Sequence, residues 1–144
     1  MTTSNTRQYL KWVKDAVSIL RESSIQPTPQ RIAVIEYVLK SRTHPTADDV
    51  LKYARRKCPT VSRATVYNTL NLLVEKGLLR TQLLREGTVV FDPNIRTHHH
   101  FIDEVTGVIH DIPWDSLSVT GKENLKDFEI YEYQVIMRGR RRKN

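Results

Sequence analysis

A single cysteine, Cys58, stands in a chain of 144 residues. One thiol excludes an intramolecular disulfide and any zinc site built from several thiolates. Beside Pro59, at an expected helix end, Cys58 reads as incidental rather than reactive. No apolar run approaches the roughly 18 residues needed to span a bilayer, and the N-terminus lacks the basic-then-apolar pattern of a signal peptide. The expectation is a soluble, cytoplasmic protein with no membrane partner. Internal repeats are absent, and the only low-complexity segment is the basic run 140–143. Acidic residues are also scarce, 16 against 23 Lys and Arg, for a net charge of +7.

That charge is unevenly placed. Residues 1–92 hold fifteen basic and eight acidic side chains, residues 93–137 three and eight, and residues 138–144 five basic ones. A basic front half suits a polyanion, and nucleic acid is the first candidate. The same half reads as a series of short helices. Leu10, Val13, Val17 and Leu20 form one apolar stripe, predicting a helix from about Thr6 to Ser23. Thr28 followed by Pro29 opens a second, with Ile32, Ile35, Val38 and Leu39 inward. Thr46 with Asp49 three residues on opens a third, burying Val50, Leu51 and Ala54. Ser62 caps a fourth, with Val66, Leu70, Leu73 and Val74 inside and Gly77 as its stop.

Leu78–Arg85 and Thr88–Asp92 then predict two strands around the Glu86-Gly87 turn. Helices followed by such a hairpin give the order of a winged helix-turn-helix, with the fourth helix offered to the major groove. Pro93-Asn94 marks a break. Beyond it, His98–Asp103 and Val108–Ile112 read as strands, 116–126 as a short helical stretch, and 128–138 as an extended, aromatic and β-branched segment. The expected class is α+β: a winged-helix unit (1–92), a hinge (93–97), and a small α/β dimerisation unit (98–144). About 50 residues make a marginal domain, and two copies can satisfy each other's strand edges.

Two residue groups carry chemistry. On the fourth helix, Arg63, Tyr67 and Asn68 fall on or near the face opposite Val66 and Leu70, close to the end that enters a groove; Thr65 belongs to the same turn. Asn can bond adenine at two points, and Arg can bond guanine or a phosphate. In the second unit His98 and His100 alternate on one strand, so they share a face while His99 points away. Asp111 lies on the neighbouring strand, Asp92 before the break, and His44 between the second and third helices. Imidazoles with carboxylates and no thiolate suit Fe(II) or Mn(II), and admit Zn(II). Spacing alone does not unite His44 with the rest.

Thr28-Pro29-Gln30-Arg31, the 44–49 stretch His-Pro-Thr-Ala-Asp-Asp, Ala64-Thr65-Val66-Tyr67-Asn68 and the 98–100 histidines fall in one order and spacing. Together they resemble the ferric uptake regulator family, and most closely its peroxide-sensing branch. The resemblance implies one regulatory ion per subunit, Fe(II) or Mn(II), held by His44, Asp92, His98, His100 and Asp111. It implies a homodimeric repressor on a palindromic operator in double-stranded DNA, released when peroxide drives iron-dependent oxidation of His98 or His44. Asp at position 111, where the iron-uptake branch has Glu, points to the peroxide branch.

The sequence also departs from that family. Asp103 and Thr106 stand where many members carry a Cys-x-x-Cys pair, so no structural four-cysteine zinc is expected. A further metal site using His99 or His110 stays open. Two alternatives remain: an iron, manganese or zinc homeostasis regulator of the same family, and a small non-haem iron enzyme. The helix order and basic front half favour a regulator without catalytic activity.

Overall fold

The computed structural model describes residues 15–85 and 87–143. They divide into two compact units, one ending at Ile95 and one beginning at Arg96. The architecture is α+β.

The first unit holds α1 (15–22), α2 (Pro29–Val38), α3 (Ala47–Lys57), α4 (Arg63–Glu75), β1 (Arg80–Arg85) and β2 (Thr88–Asp92). Local chemistry fixes where the helices start. The Thr28 hydroxyl accepts from Arg31 N at 3.3 Å, with Pro29 next, where a missing N–H costs nothing. Thr46 and Asp49 form a reciprocal capping box at 3.1 and 3.0 Å. Ser62 Oγ accepts from Thr65 N at 3.1 Å. The core is one apolar cluster that includes Leu20, Val34, Val38, Val50, Val66, Leu70 and Leu73.

Three expectations shift within this unit. In α1, Ala16 and Leu20 are buried and Val17 only half so, while Leu10 and Val13 lie outside the described residues. In α2 the fully buried set is Ala33, Val34, Ile35 and Val38, with Ile32 and Leu39 packed at its margin. That helix is apolar around much of its circumference, so its spacing does not select one face. β1 begins at Arg80 rather than Leu78, because Leu78 N is spent on Leu73 O in closing α4. Gly77, at φ 76, makes that closure, a backbone conformation suited to glycine. β1 and β2 pair antiparallel, pairing Thr81 with Phe91 and Gln82 with Val90.

The second unit is a three-stranded sheet of order β4-β3-β5, with β3 (His98–Asp103) central, β4 (Ile109–Pro113) antiparallel to it and β5 (Ile136–Gly139) parallel. β4 starts one residue later than expected, because Val108 is used in the turn, its carbonyl accepting from Asp103 N at 2.9 Å. The expected helix at 116–126 does not form. Two single 3₁₀ turns, Trp114–Ser116 and Lys122–Asn124, stand there instead. Gly121 sits between them at φ 91, and Ser, Thr and Val around it favour caps and extended backbone over helix. The expected extended segment contributes a strand only at 136–139. Phe128, Ile130 and Tyr131 precede it without regular structure and are exposed.

Candidate metal centre and DNA-reading helix

In the first unit the loop before α3 and the end of β2 bring His44 and Asp92 together. Phe91 N donates to Pro45 O at 2.8 Å, stitching β2 to the residue after His44. His44 has φ 53, a left-handed conformation that a side chain with a Cβ adopts at a cost of order 1 kcal/mol. His44 Nε2 lies 3.3 Å from Asp92 Oδ2, and both side chains are buried. The other Asp92 oxygen accepts from Asn94 N at 2.9 Å, which fixes the carboxylate plane.

In the second unit the cluster follows from sheet geometry. His98 and His100 alternate on β3, and Asp111 stands directly opposite His100 on β4, so the three side chains share a face. His98 Nδ1 donates to Arg96 O at 2.5 Å, and His100 Nδ1 donates to Gln134 Oε1 at 3.1 Å. A neutral imidazole that spends its one N–H at Nδ1 presents a lone pair at Nε2. The two Nε2 atoms are 3.0 Å apart, and Asp111 Oδ1 lies 3.5 and 3.6 Å from them. Two facing lone pairs beside a carboxylate repel one another unless a cation or proton joins them. Outer hydrogen bonds that fix the Nδ1–H tautomer are the usual support of metal-binding histidines. The donor set therefore fits a borderline divalent ion.

His99 does turn to the opposite face. It stacks on Trp114 at 4.7 Å between centroids, and its Nδ1 accepts from Val135 N at 2.9 Å. His99 and His110 join no group of three or more metal-ligating side chains among the described residues. Asp103 and Thr106, which the resemblance places where a cysteine pair is otherwise expected, build the β3–β4 turn with hydrogen bonds. Asp103 Oδ1 accepts from Val105 N at 2.9 Å and Thr106 N at 3.2 Å. Burial pushes the Asp103 carboxyl up, but these backbone N–H groups, the Thr106 hydroxyl and nearby His110 outweigh it and hold its pKa below the ordinary carboxylate value.

α4 presents Arg63, Tyr67 and Asn68 outward, while Val66, Thr69, Leu70 and Leu73 are buried. Thr65 is half-buried, and its hydroxyl bonds Ser62 Oγ at 2.9 Å, so it also serves the cap. Two residues in these sites escaped sequence reasoning. Gln134 lies in an irregular stretch 34 residues from His100, and no periodic signal marks it. Asp48, which holds Arg63, reads in sequence only as a first-turn acid of α3.

A helical unit ending in a hairpin, followed by a sheet that carries a histidine–carboxylate cluster, is the build of a metal-responsive DNA-binding regulator. Residues 22–138 match the Ferric uptake regulator family, and the chain belongs to it. It is similar to the peroxide-responsive repressor PerR of Staphylococcus aureus (strain Mu50), 30% identical over 129 residues, covering 88% of this chain and 87% of that one. Among solved structures it resembles the Campylobacter jejuni peroxide stress regulator, with TM-score 0.62, 24% identity, and coverage of 99% and 98% of the two chains. It also resembles the ferric uptake regulator of Pseudomonas aeruginosa with manganese, with TM-score 0.63, 23% identity, and coverage of 89% and 98%.

Proposed function

We propose that this protein is a cytoplasmic, homodimeric repressor that binds a palindromic operator when one Fe(II) or Mn(II) per subunit is in place, and leaves it when peroxide oxidises its ligands. The observation that carries the reading is the pair of Nδ1-tethered histidines, His98 and His100, with their Nε2 atoms facing beside Asp111. His44 and Asp92, already paired in the first unit, complete the proposed ligand set. An ion that draws ligands from both units favours the arrangement in which all five converge, and raises its population by its differential affinity. Arg63, Thr65, Tyr67 and Asn68 form the DNA-reading set on α4. The exposed 128–131 stretch supplies apolar surface for the second copy.

Three imidazoles and two carboxylates make five ligands, one fewer than an octahedral ion accepts. An Fe(II) ion held there would mediate the two-electron oxidation of a ligand ring by peroxide, one peroxide oxygen going to the ring and the other leaving as water; Mn(II) would supply binding without that reaction. The chain's part is to present rings that are oxidised first, His98 and His44. An oxidised ring is a poorer donor, so the cluster loses a ligand and the DNA-binding arrangement its support. The 30% identical relative is named as peroxide-responsive, which favours this reading over a homeostasis regulator.

The test loads the full chain with Fe(II) or Mn(II) and selects an operator from a random duplex pool. Binding and peptide masses are then compared before and after peroxide. The expected result is one added oxygen at His98 or His44, with parallel loss of binding, in the iron form only. Unchanged binding by the oxidised iron form moves the protein to metal homeostasis, and modification confined to Cys58 makes it a thiol sensor.

A further inference from the structure

Arg63 is the first residue of α4, and Asp48 is the second of α3. Their side chains form a hydrogen-bonded ion pair through Nη1 and Oδ1, although they are 60% and 69% exposed. Asp48 first, and Tyr67 one turn along α4 to a lesser extent, favour the charged form of the Arg63 guanidinium and raise its pKa. Asp48 and Tyr67 border an open cleft of about 530 Å³ whose walls also include Asn71, Thr81 and Val89. The cleft therefore lies between the start of α3, the middle of α4 and the β1–β2 hairpin.

A carboxylate on this face is out of place electrostatically. The first unit is basic, and a polyanion approaching α4 is repelled by Asp48. An unrestrained arginine, however, must surrender much rotamer freedom to bond a base at two points, and a tether made in advance removes part of that cost. Asp48 uses only part of the five N–H donors of the fork. We propose that Asp48 is a positioning residue for sequence reading: it holds the Arg63 guanidinium at the groove-facing end of α4, so that discrimination between bases depends on a carboxylate that itself repels DNA. The inference rests on the reading of α4 as the DNA-reading helix.

The consequence is a change of sign that surface charge alone does not produce. Removing one negative charge strengthens binding to every duplex. Removing a tether weakens binding only to the duplex that Arg63 reads. The experiment uses the full chain loaded with Mn(II), a duplex selected from a random pool, and a scrambled duplex, at one fixed salt concentration. Asp48→Asn is expected to bind the selected duplex about threefold more weakly, within the range of an exposed ion pair, and the scrambled one equally or slightly more tightly. Asp48→Glu restores the wild-type pattern, and Asp48→Asn adds no further loss in an Arg63→Ala background. Selection repeated with Asp48→Asn loses its preference at one position in each half-site. Tighter binding of Asp48→Asn to both duplexes reduces Asp48 to a surface charge, and an undiminished loss in the Arg63→Ala background assigns its effect to α3 rather than Arg63. Wild-type affinity of Arg63→Ala itself overturns the underlying role of the α4 start, a result distinct from the other two.

Discussion

Replacing Gln134 by leucine asks whether the tautomer of His100 is set from outside the ligand cluster. The Gln134 Oε1 atom accepts from His100 Nδ1 at 3.1 Å; the His100 side chain is fully buried, while Gln134 itself is exposed. Losing a neutral hydrogen bond removes about 0.5–1.5 kcal/mol. Loss of an outer partner of a metal-binding histidine typically costs 10–100-fold in affinity. The two ranges meet near 1.4 kcal/mol, a factor of about ten, which is the loss of Mn(II) affinity expected for Gln134→Leu. Glutamate at the same position keeps an oxygen acceptor, so Gln134→Glu should bind Mn(II) at least as tightly as the wild type. The assay is competition against a fluorescent chelator at fixed pH, with a urea titration of the metal-free proteins to confirm folding. Equal affinities for Gln134→Leu and wild type would refute the reasoning. A loss in Gln134→Glu as large as in Gln134→Leu would do the same, since then the amide acts by packing and not as an acceptor.

Two further outcomes test other parts of the molecule. Asn68→Ala should cost about 1–3 kcal/mol on the selected duplex if Asn68 makes a two-point adenine contact, and should relax preference at one base per half-site; wild-type selectivity in a competition assay removes Asn68 from the reading face. Because the folded Asp103 carboxyl lies below its ordinary value, its contribution to stability is present above about pH 4 and lost as pH falls through the folded pKa. Asp103→Asn keeps an oxygen for Val105 N and Thr106 N but has no such acid limb, so its urea midpoint should fall less steeply than the wild type's below about pH 4. Parallel curves would show that Asp103 ionisation does not support the turn.

Helix starts were legible in the sequence because each is decided within four residues. Thr28-Pro29, Thr46 with Asp49, and Ser62 carry their own hydrogen-bond partners with them. The shared face of His98 and His100 was legible for the same reason, since a strand alternates whatever surrounds it. What sequence did not reveal depends on partners far along the chain. β5 is extended because β3 accepts it, at a separation no periodicity records, and Phe128–Tyr131 have no strand partner among the described residues. The Ser116–Lys126 stretch has some helical spacing, but Gly121 and its β-branched and hydroxylated neighbours override it. Gln134 and Asp48 owe their roles to tertiary proximity alone, and neither residue type announces such a role.

The late position of β5 has a consequence for the order in which the molecule is made. The strand bearing His98 and His100 leaves the ribosome well before Gln134 and Val135, the two residues ahead of β5, which supply His100 Nδ1 with its acceptor and His100 N with the Val135 carbonyl. During synthesis the first unit can fold, since domains tend to fold as units from the N-terminal side. The histidine pair meanwhile lacks the contacts that orient one of its rings. On the proposed function, a nascent chain is thus a poor competitor for free metal until β5 has been made and has paired with β3.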